Sequence, residues 1–187
     1  DRLAGIGTAS FTLGAALSMV PLAAFMRRRG RRPGMAGALL IGAAGSAIAA
    51  TGGQLRFFPL FVMGVVLFGA GQASTLQGRY VAADLAEPDH QATAIAAIVW
   101  IGALGAIFGP LLTPFEKVFA ESVGLDELIG PFVFATLFFL VAAAVVWTRL
   151  RPDPLAMVGG IDPNATRTRP IKQVRASAGV IARSPNA

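Results

Sequence analysis

Charged and apolar positions segregate along this chain into long blocks. Five stretches contain no Asp, Glu, Lys, Arg or His: Leu3–Met26, Pro33–Leu55, Phe57–Gly78, Gln91–Phe115 and Leu128–Thr148. They are 24, 23, 22, 25 and 21 residues long. A helix packed in water needs a polar outer face, and these stretches offer no charged one. At a rise of 1.5 Å per residue, about 20 apolar residues cross the ~30 Å hydrocarbon core of a bilayer. The pattern therefore predicts an all-α membrane protein, with five transmembrane helices bundled over residues 1–150. The expected spans are about 5–26, 34–53, 58–80, 91–113 and 129–149.

The links between the spans are short, as for antiparallel neighbours in a bundle. Pro59 and Pro131 fall at helix starts, where a missing N–H costs nothing. Pro21 and Pro110 fall inside spans and predict kinks. Residues Pro114 to Pro131 read as an outside connection carrying one short surface helix, with Phe115, Val118 and Phe119 on it. Residues 151–187 form a polar tail. Beyond Pro170, Ile171, Val174, Ala178 and Ile181 recur at helical spacing among Lys172, Arg175 and Arg183. That spacing fits a helix over 170–183 lying in the headgroup plane; a disordered linker is the alternative.

Composition sharpens the class. Charged residues are 14% and hydrophobic residues 55%, against about 25% charged in a soluble domain. The absence of cysteine excludes disulfides and thiolate metal sites. The formal charge is +6, and the distribution of that charge matters more than its size. The first link, the third link and the tail hold 13 basic residues; the opposite side, with Arg2, holds 3. Lys and Arg stay in the cytoplasm, so the N-terminus is expected outside the cell membrane and the tail inside. The basic charge is then a topogenic signal rather than a nucleic-acid footprint, and it places the tail against anionic lipid headgroups. With Asp1 at its start and an outside N-terminus, the chain reads as a piece lacking its first span.

Chemistry-bearing residues are few. His90 has no second His or Cys for a metal site and sits in an acidic loop. Gly5-Ile6-Gly7 and Gly69-Ala70-Gly71 lie in apolar helices without a preceding strand, and so read as packing glycines rather than dinucleotide loops. Neither a catalytic cluster nor a cofactor motif is visible. Small residues at Ala38, Gly42 and Ser46, at Ala70 and Ser74, and at Gly105 and Gly109 allow close helix approach in lipid. The third stretch alone groups several polar residues: Gln72, Ser74, Thr75 and Gln77. Polar groups are costly to bury in a membrane and mark solute paths or interhelical hydrogen bonds. Gln72, Thr75 and Arg79 share one helix face by their i, i+3, i+7 spacing. Trp100, Ser10 and Ser18 are further candidates for a cavity wall. No carboxylate lies within any of the five stretches.

Four local patterns resemble the major facilitator superfamily of secondary transporters. The first is Ala23-Ala24-Phe25-Met26-Arg27-Arg28-Arg29-Gly30-Arg31-Arg32, similar to the family's Gly-x-x-x-Asp-Arg-x-Gly-Arg-Arg loop. Arg28, Gly30, Arg31 and Arg32 match, while Ala23 stands for the Gly and Arg27 for the Asp. The second is the glycine pair Gly69 and Gly71, followed by Asp84 near the helix end. Val65 and Phe68 stand where the family often has Arg and Gln. The third is Gly105-Ala106-Ile107-Phe108-Gly109-Pro110, which resembles the kinked helix of drug/proton antiporters. The fourth is the wording of Arg79–Ala86 and Trp100–Gly105, similar to a group of bacterial efflux proteins.

The resemblance implies helices two to six of the N-terminal half followed by the central cytoplasmic loop. It also implies alternating access for a small organic solute, most simply efflux, with no cofactor and no enzyme activity. The implied roles are a gating loop at Arg28, Gly30, Arg31, Arg32 and Asp84, a kink at Gly105, Gly109 and Pro110, and a cavity wall on the third span. The implied partners are the bilayer, the solute and the C-terminal half of the same protein. A non-transporting membrane subunit is the alternative; a lipid-modifying enzyme would need an acidic or histidine cluster at membrane depth.

Overall fold

The computed structural model describes residues 2–151 and 153, the side chains of residues 2–4, 84 and 88 excepted. The expected interfacial helix at 170–183 and most of the tail lie outside the described residues. Five long helices carry the fold: α1 (Arg2–Arg29), α2 (Arg31–Gln54), α3 (Phe58–Leu85), α4 (Gln91–Ser122) and α5 (Gly130–Arg149). Two short 3-10 turns, Pro88–His90 and Glu127–Ile129, precede α4 and α5. Among the described residues there is no strand, and all five helices are long and apolar enough to cross a membrane.

Local chemistry sets the helix ends. Gly30 alone separates α1 from α2, at φ +99°, a left-handed conformation that glycine adopts without strain. Pro59 and Pro131 stand in the first turns of α3 and α5, where no N–H is needed. Asp126 caps the turn before α5 by accepting the Leu128 N–H at 3.1 Å. The fourth helix differs from the sequence expectation. It does not stop near Pro114 but runs on to Ser122, with Pro110 and Pro114 both inside it. Each proline removes one backbone hydrogen bond, whereas breaking the helix there would leave a whole turn unpaired.

The core forms around α3. Helices α2 and α3 run antiparallel at close range: Gly42 meets Gly71, Gly45 meets Phe68, Ala49 meets Gly64 and Gly52 meets Phe61. A Cβ added at Gly42 would lie 2.8 Å from the Gly71 Cα, so backbone approach is what these glycines allow. The Phe68 ring joins two other helices, lying 5.4 Å from Phe11 of α1 and 6.2 and 5.5 Å from Phe132 and Phe139 of α5. Two buried hydroxyls bridge helices: Ser46 donates to the Phe132 carbonyl at 2.8 Å and Ser74 to the Met35 carbonyl at 3.2 Å. Helix α5 lies along α2, also antiparallel, from Ser46 beside Phe132 to Arg32 beside Trp147.

Helix α4 is different. Leu104, Ile107, Phe108, Leu111 and Phe115 all remain exposed. Its far end is fixed where Gly130 packs on the Glu116 backbone and Phe134 rings meet Phe115 and Phe119. The antiparallel register collects Arg27, Arg28, Arg29, Arg31, Arg32, Arg79, Arg149 and Arg151 at one end of the bundle. The other end carries Arg56 and the pair Lys117–Glu127, 3.2 Å apart.

Candidate functional site

Two regions carry the predicted site residues. At the arginine-rich end, α2 begins with donors that need acceptors. The Arg31 N–H donates to Asp153 Oδ1 at 3.1 Å and the Arg32 N–H to Oδ2 at 2.8 Å. One carboxylate thus satisfies two helix-start N–H groups and sits at the positive end of the α2 dipole. Gly30 is buried beneath it, and a Cβ there would overlap the carboxylate. Arg32 ties the same corner to α5. Its Nε donates to the Trp147 carbonyl at 2.8 Å and its guanidinium lies 4.2 Å over the Trp147 ring. Arg27, Arg28 and Arg29 are exposed. The Asp84 side chain, expected opposite these arginines, lies outside the described side chains.

The second region is the stretch of α3 that carries Gln72, Thr75 and Arg79. Gln72 is half-buried there, and Thr75 and Arg79 are exposed. Ser74 does not share the face of those three: it is fully buried and engaged with α2 through Met35. Gln77 falls on the same inward side as Ala73, Ser74 and Val81, and is half-buried. Trp100 on α4 is 70% exposed, and Ser10 of α1 is buried. Ser18 instead lines a cavity between α1 and α2 that reaches Ala70 of α3. The kink residues face open space among the described residues: a Cβ at Gly105 or Gly109 meets nothing within 4 Å, and Pro110 is exposed. His90 is exposed beside Glu87, at 3.7 Å.

Helix α3 thus combines buried positions used in packing with exposed polar positions, and a braced cationic turn lies at one end of the bundle. The family profile described as Major Facilitator Superfamily matches residues 1–184. The chain belongs to the Major Facilitator Superfamily. It is similar to the MFS-type transporter YddS of Bacillus subtilis, an uncharacterized protein, with 38% identity over 155 residues. That match covers 83% of this chain and 36% of YddS. It is 35% identical to YdeG of the same organism, also an uncharacterized MFS-type transporter, over 87% of this chain and 38% of YdeG. It is 34% identical to the riboflavin transporter RfnT of Brucella anthropi, over 79% of this chain and 37% of RfnT. The chain thus spans little more than a third of the length of these relatives. No solved structure matches it. The superfamily is one of transporters, not of enzymes.

Within this superfamily chain, sequence reasoning missed Asp153 and Trp147. Residue 27 is arginine where the family loop has its acid, and a carboxylate from beyond α5 fills the space beside Gly30 instead. The one available signal was an Asp between two prolines, two residues after Arg151 and just beyond the span. The pairing itself joins residues 122 positions apart and leaves no local trace.

Proposed function

We propose that this bundle forms part of one wall of a membrane path for a small organic solute, moved by alternating access. The supporting observation is the contrast within α3: Ser74 and the glycines are used up in packing, while Gln72 is only half-buried and Thr75 and Arg79 stay exposed. Polar groups left uncovered at membrane depth are expensive unless water or a solute meets them. Helices elsewhere in the full-length protein would supply the facing wall, against α4 and its open Gly105, Gly109 and Pro110. Movement of one half against the other then exposes the path to each side in turn.

Neutral amide and hydroxyl groups with an arginine nearby suit a polar-edged organic molecule, and RfnT, a riboflavin transporter, belongs to the same class of relatives. Export from a cytoplasm on the arginine-rich side is the direction we propose, with the N-terminus of this chain outside. The test uses the full-length protein in cells loaded with a fluorescent organic cation or with riboflavin, with and without an uncoupler. Export that stops on uncoupling is expected; accumulation unchanged by expressing the protein would overturn the reading. Gln72→Leu should lower the transport rate about tenfold, the cost of one lost hydrogen bond near the upper end of its range, with insertion unchanged. An undiminished rate would remove Gln72 from the wall.

A further inference from the structure

Glu116 plays no part in the path proposed above. Among the described residues it is the one charged side chain that is buried, at 8% exposure. It follows Phe115, the last residue of its charge-free stretch, and so stands at the border of the span, at the end of the bundle away from the arginine cluster. Here α4 and α5 join closely. Gly130, the first residue of α5, packs on the Glu116 carbonyl, and a Cβ there would overlap it. The Phe134 ring of α5 lies 5.9 Å from Phe115 and 5.4 Å from Phe119. One turn beyond Glu116, Ala120 is fully buried, and its carbonyl accepts the Leu125 N–H at 2.9 Å.

No cation answers the Glu116 carboxylate. Among the described residues, neither a hydrogen bond nor an ion pair reaches it. Its neighbour Lys117 is held by Glu127 at 3.2 Å. Glu121 of α4 is exposed, and so is Asp126, whose carboxylate accepts the Leu128 N–H. Helix α5 carries no charge before Arg149, and α3 none before Arg79, both at the far end. Arg56 of the α2–α3 link is exposed. An ionised carboxylate in such a place loses its hydration and gains no partner, whereas the neutral acid forfeits far less. The acids at 121, 126 and 127 add repulsion to the ionised form. Parting the junction restores water to the charge. Protons have access, because every fully enclosed side-chain oxygen or nitrogen among the described residues has a partner and those of Glu116 have none.

We propose that Glu116 is a proton-operated latch on the α4–α5 junction. The neutral acid stays packed where α5 begins, and loss of its proton loosens the turn over residues 120–130. The latch acts within this chain, so it stands or falls independently of the solute path and of the orientation in the membrane.

The test is amide hydrogen exchange of the full-length protein in detergent from about pH 5 to about pH 8, each rate divided by the intrinsic rate at that pH. Protection of the Val123, Gly124 and Leu125 amides should fall as the pH rises, by at most about tenfold per pH unit, the limit for one proton. The Ala49 amide in the α2–α3 interface should keep its protection throughout. Glu116→Gln should hold the turn protected across the range, and Lys117→Gln should leave the pH response in place. Protection in the unaltered protein that does not change with pH would overturn the proposal, as when a cation from elsewhere in the full-length protein pairs with Glu116. A response that survives Glu116→Gln would overturn it too, and one lost in Lys117→Gln would assign it to the Lys117–Glu127 pair instead. A Glu116→Gln protein that no longer purifies as a single species would also overturn it, because the neutral amide stands in for the packed acid.

Discussion

A side chain at position 30 meets two obstacles at once. The backbone is left-handed there, and the Asp153 carboxylate occupies the space a Cβ would need. Gly30→Ala should therefore cost about 2 kcal/mol, from the backbone conformation plus displacement of the cap. The check is the thermal midpoint of the detergent-solubilised full-length protein. Asp153→Ala alone should also lower it, and the double variant should lose less than the sum, because both changes break the same contact. Additive losses would show that the two residues act apart. Gly30 was legible from its place between arginines after an apolar run. Asp153 was not, since a contact across 122 positions has no periodicity to betray it. Ser74 teaches the same lesson from the other side. Polar type alone grouped it with Gln72 and Thr75, but one residue step turns a helical side chain by about 100°, enough to move Ser74 onto the α2 interface.

Helix α3 is the element on which the architecture depends, and its two sides do different work. Its glycines pack against α2 and its Phe68 lies among rings from α1 and α5, while Thr75 and Arg79 stay exposed further along. Gly71→Leu should destabilise the bundle by at least about 2 kcal/mol, since its new side chain meets the Gly42 backbone and the Phe139 ring with no flexible end to yield. Size-exclusion profiles of the full-length protein would report that as loss of the monodisperse peak; a normal peak would contradict the packing. The five elements themselves were readable from charge-free length, because hydrocarbon tolerates few alternatives to a helix. Where α4 ends was not. Its apolar run closes at Phe115, yet Glu116, Lys117 and Glu121 extend the helix to Ser122, with Glu116 buried where α4 meets the start of α5. Proline marked the wrong boundary there because an isolated missing hydrogen bond costs less than an unpaired turn.

The antiparallel register of α2 with α3 and with α5 gathers eight arginines at one end of the molecule and leaves few cations at the other, so the charge asymmetry read along the chain becomes a polarity of the bundle. With the positive end in the cytoplasm, single cysteines near Gln54 and Ser122 should react with an impermeant thiol reagent in sealed cells, and one at Arg151 should not; the reverse pattern would invert the orientation. Membership of the Major Facilitator Superfamily was readable from the loop around Gly30 and from Gly105–Pro110, but the open side of the molecule was not, because it depends on which α3 residues the packing consumes. The central claim, that one side of α3 meets water or solute while the other is sealed by protein, has a direct test: thiol labelling of single-cysteine full-length variants with a small water-soluble methanethiosulfonate. Cysteine at Gln72 and at Thr75 should react and be protected by transported solute, while cysteine at Ser74 should stay inert. Equal reactivity at all three positions, or reaction at Ser74 alone, would contradict the account.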